Sequence, residues 1–129
     1  MHDLIIIGSG PAGVSAALTA HARDLGFLWF GHADLSAKIE KAERIRNYPG
    51  LPDVTGQEMK ESFLGQIEGI GLTLMPGQVT AIYPMGNYYA VSLGQEIHEA
   101  RAILLATGME TSKAVPGETE LLGKGVSYC

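Results

Sequence analysis

Cysteine is almost missing from this chain. The single one, Cys129, is the last of 129 residues. No intrachain disulfide can form, which excludes a disulfide-stapled scaffold. The histidines are few and scattered. His2, His21, His32 and His98 do not pair with other ligand types at metal-binding spacing, so no metal is expected. Positive charge is also scarce. Nine Lys and Arg face fourteen Asp and Glu, a formal net charge of −5, which argues against a general nucleic-acid binder. No apolar run approaches the roughly 20 residues of a membrane span. The strongly apolar stretch near the N-terminus, Leu4 to Ile7, follows Asp3 and is too short for a signal peptide. These absences lead us to expect a cytoplasmic protein with neither a nucleic-acid nor a membrane partner.

Glycine and apolar residues, by contrast, are plentiful. Hydrophobic residues make up 46% and charged residues 18%, a balance that belongs to a globular chain with a real core and not to a disordered one. The most informative stretch, residues 3–13, reads DLIIIGSGPAG. An apolar strand runs into a glycine turn and then into an alanine-rich helix. Gly8, Gly10 and Gly13 have the G-x-G-x-x-G spacing of a dinucleotide-binding turn. The first glycine permits the tight turn, the second lets backbone approach a pyrophosphate, and the third lets helix and strand pack closely. A helix starting near Pro11 points its free N–H groups and positive dipole end at the phosphates.

The pattern beyond the turn predicts an α/β fold. A strand over 3–7 leads to a helix over 11–25, with Val14, Ala17, Leu18 and Ala22 facing the sheet and Gly26 ending it. Residues 27–30 read as a second parallel strand, completing a βαβ unit. Asp34 follows slightly late for the acidic residue that such folds present to a ribose hydroxyl. Residues 38–46 mix both charge signs around Ile39, Ala42 and Ile45, which fits a short helical turn with a solvated face. A turn-rich loop over 47–53 precedes Thr55, the N-cap expected for a helix over 57–69 with Met59, Phe63, Ile67 and Ile70 on one face. A third parallel strand is expected over 72–75. The period then changes. Residues 78–83, 88–93 and 95–100 read as a β-meander, followed by an apolar strand over 101–106 that ends in Thr107 and Gly108. A βαβ unit, an inserted meander and a returning apolar strand suit the flavoproteins with two dinucleotide-binding domains.

Four segments carry a closer resemblance: GSGPAG at 8–13, NYPG at 47–50, ATG at 106–108, and PGE at 116–118 followed by GVSYC at 125–129. In this order they resemble the low-molecular-weight thioredoxin reductases, FAD-dependent pyridine nucleotide-disulfide oxidoreductases. The resemblance implies an FAD-binding Rossmann-like parallel sheet with an inserted β-meander, the N-terminal part of a two-dinucleotide-binding-domain flavoprotein. It implies that 1–112 is part of a discontinuous FAD domain and that 113–129 is a crossover into an inserted nicotinamide and redox-disulfide domain. A sheet divided in this way would leave one face poorly covered.

The resemblance also assigns roles. Gly8, Ser9, Gly10, Pro11, Ala12 and Gly13 would hold the FAD pyrophosphate. Asn47 would lie near the flavin, Val79 would offer backbone to the adenine, and Ala106, Thr107 and Gly108 would pass beside the cofactor. Cys129 would be the catalytic first thiol of a Cys-x-x-Cys pair whose second cysteine is not in this sequence. Where many members carry Gly-Gly-Gln, this chain has Ser36, Ala37 and Lys38, so Lys38 stands in the position of a flavin-contacting glutamine. The implied activity is electron transfer through FAD to the dithiol and on to thioredoxin or a similar disulfide protein, in a homodimer. NADPH is the usual donor, but some relatives take electrons from ferredoxin. The rival readings are a non-catalytic FAD- or NAD-binding module and another flavoenzyme, such as an alkyl hydroperoxide reductase flavin subunit.

Overall fold

The computed structural model describes residues 1–109 and 114–127. The chain begins with strand β1 (His2–Ile7), helix α1 (Pro11–Ala22) and strand β2 (Phe27–Gly31). A short helix α2 (Ala37–Glu40) and a longer α3 (Gly56–Gly69) follow. Strands β3 (Met75–Pro76), β4 (Ala81–Pro84), β5 (Tyr89–Leu93) and β6 (Glu96–Leu105) precede a final short helix α4 (Glu118–Leu121). The strands form one sheet in the order β3-β2-β1-β6-β5-β4. β1 lies at its centre, parallel to β2 on one side and to β6 on the other.

β1 explains the two-layered core. Its isoleucines alternate across the sheet, as the strand period of two demands. Ile6 joins a cluster with Val14, Ala17, Trp29, Met59 and Phe63, which is the face covered by helices. Ile5 and Ile7 point the other way, into a second cluster with Phe30, Val91 and Ala100. Because Val91 belongs to β5, the meander folds back over the face opposite the helices.

Several expectations are met with shifted bounds. α1 stops at Ala22 rather than continuing to residue 25, because Asp24 adopts φ +53 in the left-handed region and Leu25 N donates to Ala20 O at 3.1 Å. Its buried stripe is Gly13, Val14, Ala17 and Ala20; Ala22 faces solvent. α3 has the expected Thr55 cap. Thr55 Oγ1 accepts from Glu58 N at 3.1 Å and Glu58 Oε2 accepts from Thr55 N at 2.7 Å, a complete capping box. Met59, Phe63 and Ile67 are buried as expected, while Ile70 lies past the helix end and is 42% exposed. The third parallel strand is only Met75–Pro76, paired with Phe30 and Gly31.

The largest difference lies in the meander. The two strands expected over 95–100 and 101–106 are a single strand, β6. Its first half pairs antiparallel with β5 and its second half parallel with β1, and Ala100 is in register with both Tyr89 and His2. Ala100 is fully buried, and no glycine or proline interrupts the run, so nothing breaks the strand where the residue pattern changes from alternating to apolar.

Candidate cofactor-binding site

β1, β2 and β6 are parallel, so their carboxyl ends share one edge of the sheet. From β1 the chain turns at Gly8 to reach β2 on one side, while β6 lies on the other. The order therefore reverses at β1, and open α/β sheets bind ligands in the crevice at such a reversal. The glycine turn, the end of β2 and residues 106–109 all lie along this edge.

The turn is held from three directions. Gly8 N donates to Phe30 O at 2.8 Å, and Ala106 N donates to Ile7 O at 2.8 Å. The Trp29 indole Nε1 donates to Gly8 O at 2.8 Å from a side chain that is 1% exposed. Ser9 is buried, and its hydroxyl donates to Leu35 O at 2.6 Å and accepts from His32 N at 2.8 Å. That hydroxyl therefore fastens the turn to the loop after β2, leaving the Ser9 backbone as the part available to a ligand.

The three glycines are required for different reasons. Gly8 has φ +119, and a Cβ there would lie 2.1 Å from Ala106 O. A Cβ on Gly13 would lie 1.9 Å from Gly8 O. Both must be glycine for the protein itself to close up. Gly10 is different. Its φ is −71, open to any residue, and an added Cβ would meet no atom within 4 Å. Nothing inside the protein asks for glycine there, and the space beside it is open. Gly10 is also the N-cap of α1, with no side-chain cap and with Pro11 in the first turn, so the first-turn amides, Ala12 among them, are left to an outside acceptor. An open cradle with uncapped donors fits a pyrophosphate.

The other expected residues fall at varied distances from this turn. Ala106 touches it, and Thr107 and Gly108 continue past it, Gly108 with φ +71. Val79 and Thr107 line one hollow of about 300 Å³ together with Ile7 and Leu105. Lys38 Nζ donates to Met109 O, so α2 reaches across to the segment leaving β6. Asn47 is exposed on a loop pinned by the Ile45–Val54 and Tyr48–Leu51 bridges. Asp34 lies beyond the end of β2, where the residue in place is Gly31. Its carboxylate pairs with Lys60 Nζ at 3.6 Å, and Lys60 also meets Glu40 at 3.4 Å. Cys129 is outside the described residues. Among the described residues no cluster of His, Cys, Asp and Glu is arranged to hold a metal, and no helix is long and apolar enough to cross a membrane.

Sequence reasoning missed Trp29, the Ser9 hydroxyl and Gly31. A buried indole needs an acceptor for its N–H, and the only tryptophan of the chain lies on the strand beside the turn. Gly31 has no room for a Cβ, which would lie 2.4 Å from Ser9 Oγ.

Sheet order, glycine turn and uncapped helix together define a dinucleotide-binding α/β domain whose sheet carries a folded-back meander. Residues 2–129 match the pyridine nucleotide-disulphide oxidoreductase family, and the chain belongs to it. It is 34% identical over 130 residues to a thioredoxin reductase of Bacillus subtilis, covering 100% of this chain and 41% of that protein. A ferredoxin-flavin thioredoxin reductase from Clostridium acetobutylicum superposes with a TM-score of 0.84 at 48% identity, over 99% of this chain and 45% of that one. A Lactococcus lactis thioredoxin reductase superposes with a TM-score of 0.81 at 32% identity, over 100% and 43%. The chain thus spans less than half the length of these relatives.

Proposed function

We propose that the whole protein is a flavoprotein disulfide reductase that passes electrons through FAD to a Cys-x-x-Cys pair and then to thioredoxin or a similar disulfide protein. The observation that carries this is the open N-terminus of α1, with room beside Gly10 and no side-chain cap, in a chain of this family. In this reading residues 1–112 are the N-terminal part of the FAD domain. The backbone of Gly8 to Gly13 and the first turn of α1 bind the pyrophosphate. Val79 meets the adenine end, and Lys38, Asn47 and residues 106–108 lie along the cofactor. Asp34, which pairs through one oxygen with Lys60, offers its other oxygen to a ribose. Residues 113–129 are the crossover into the redox domain, and Cys129 supplies the first thiol of the pair. Bound flavin supplies the two-electron chemistry, and the protein supplies orientation and a lowered thiol pKa. Release of electrons to the partner proceeds by thiol–disulfide exchange through a mixed disulfide. The whole protein acts as a cytoplasmic homodimer.

The electron donor has two readings. NADPH is the ordinary one for the family. Ferredoxin is favoured by the 48% identity to the Clostridium acetobutylicum protein, against 34% and 32% for the two thioredoxin reductases.

The test uses the whole gene product. It should purify yellow with one FAD per chain and reduce thioredoxin when a donor is supplied, and Cys129→Ser should abolish turnover while leaving the flavin bound. A colourless protein that takes up no FAD sinks the proposal. Anaerobic bleaching of the flavin by reduced ferredoxin or by NADPH separates the two donors.

A further inference from the structure

Resting on the flavin reading above, we infer that the Ser9 hydroxyl is a positioning group for the adenosine half of the cofactor: it locks the loop over 32–35 to the glycine turn, so that pyrophosphate and ribose meet one preformed surface. The side chain faces inward and is 5% exposed. Its hydroxyl donates to Leu35 O at 2.6 Å and accepts from His32 N at 2.8 Å. The glycine motif does not ask for it, since the residue after the first glycine of G-x-G-x-x-G is unspecified. The serine therefore adds something that the turn alone does not require.

The two bonds bracket a tight turn. Leu35 N donates to His32 O at 2.9 Å, so the hydroxyl joins both ends of a closed loop whose tip, Ala33 and Asp34, is exposed. Leu35 has φ +61, a left-handed conformation that residues with a Cβ disfavour. Two things hold it there. Its side chain is buried in the helix-side core, and its carbonyl accepts the Ser9 bond. The end of β2 makes room for this arrangement. A Cβ on Gly31 would lie 2.4 Å from Ser9 Oγ and 2.5 Å from Ser9 Cβ, so the serine fills the space that a side chain at Gly31 would take.

The consequence falls on the ligand. Dinucleotide folds bind phosphates at the glycine turn and the neighbouring ribose from the region where β2 ends. Gly31 has no side chain to offer, so that contact passes to the tip of the loop. There the Asp34 carboxylate is steadied by Lys60 Nζ at 3.6 Å, and the backbone beneath it by Ser9. A loop that the protein orders does not have to be ordered by the ligand, and such preorganisation appears as affinity. Fixing the backbone of a single residue is worth roughly tenfold in a binding constant. The hydroxyl thus makes the phosphate and ribose contacts one unit, although it is itself turned away from both.

The experiment compares the FAD-loaded whole protein with Ser9→Ala. The readouts are the FAD dissociation constant, the affinity of ADP from its competition with FAD, and the midpoint potential of the bound flavin. Ser9→Ala should weaken FAD and ADP by the same factor, about tenfold, and leave the potential where it was. Ala33→Gly loosens the tip of the loop without touching the hydroxyl, and should weaken both ligands together by about threefold. Should Ser9→Ala fail to accumulate, Ala33→Gly decides by the same outcomes. If the melting temperature falls while both affinities hold, Ser9 is a strut and the inference is overturned. If FAD weakens but ADP does not, or the potential shifts, the effect lies at the ring and the inference is overturned again. A wild-type protein that takes up no flavin overturns the flavin reading itself, a different result from a flavin-loaded variant with unchanged affinities.

Discussion

The two ends of the crevice are built on different terms. Behind the glycine turn the contacts are close: Gly8, Gly13, the Trp29 indole and the Ser9 hydroxyl pack on one another, while Gly10 stays open. Further along, α2 meets the segment after β6 through Lys38 and Met109, and Lys38, Thr107 and Met109 are exposed, as is Asn47 on its own loop. A phosphate is bound by geometry that any sequence must reproduce in the same way. In the proposed reading a ring lying further along would meet side chains that are exposed and not packed into the fold. The inner end is therefore fragile to substitution, and the outer end is adjustable.

The sharpest way to break this comparison lies within the turn itself. Gly13→Val forces a Cβ to within 1.9 Å of Gly8 O, which is main chain and cannot step aside. Overpacking of this kind costs about 3 kcal/mol or more. Denaturant unfolding of the whole protein should show that loss, or the variant should fail to accumulate. Gly10→Val, in the same turn, should cost only about 1 kcal/mol, the loss of a tolerated N-cap residue, because its Cβ meets nothing. Its effect should fall on FAD, with affinity reduced about a hundredfold, or about 2.8 kcal/mol. If Gly10→Val unfolds the protein while FAD affinity per folded molecule is kept, the ligand argument for that glycine collapses.

A smaller effect is expected behind the turn. Trp29→Phe keeps most of the apolar volume but leaves Gly8 O without its indole donor in a part-buried setting. Losing a partner costs a fully buried carbonyl about 1–3 kcal/mol, and a part-buried one falls toward the low end. Chemical denaturation should place Trp29→Phe between the two glycine variants in stability, with FAD affinity lowered only as far as the turn loosens. A variant as stable as wild type would mean that the indole fills space and nothing more.

The inner end was the legible one. Gly8, Gly10 and Gly13 stand at a spacing that suits a tight strand–helix turn, and the structure has β1 before them and α1 after. Thr55 and Glu58 announced the start of α3 in the same local manner. What was not legible depended on partners distant in sequence. Asp34 fits a ribose contact by position alone, and only the fold brings Lys60 to it. Trp29 looks like one more apolar strand residue until Gly8 O arrives beside its indole. The break expected at residue 100 failed because a strand's residue pattern reports what covers each face, and β6 exchanges one neighbour for another without ending.

The weakest expected effect probes the outer end through its loop. Arg44 grips Asp53 with two hydrogen bonds, Nε to Oδ1 at 2.7 Å and a second at 3.0 Å, and Arg46 approaches the same carboxylate at 3.5 Å. The hydrogen bond from Arg44 holds the Asp53 carboxyl below its ordinary value; burial opposes this, and the charge of Arg44 and a hydrogen bond from Arg46 add to it. A carboxylate depressed in the folded state stabilises above its unfolded pKa of about 3.9, and that contribution fades as pH falls through the lower folded value. The pair is exposed, so the effect is small. Asp53→Asn should therefore be slightly less stable than wild type at pH 7, and the gap should close below about pH 3.9. Because this clasp closes the loop that bears Asn47 and touches no part of the glycine turn, hydrogen exchange should quicken across residues 45–54 and stay unchanged across 8–13. Faster exchange in the turn as well would mean that the two ends of the crevice are one mechanical unit, and that the division between them is false.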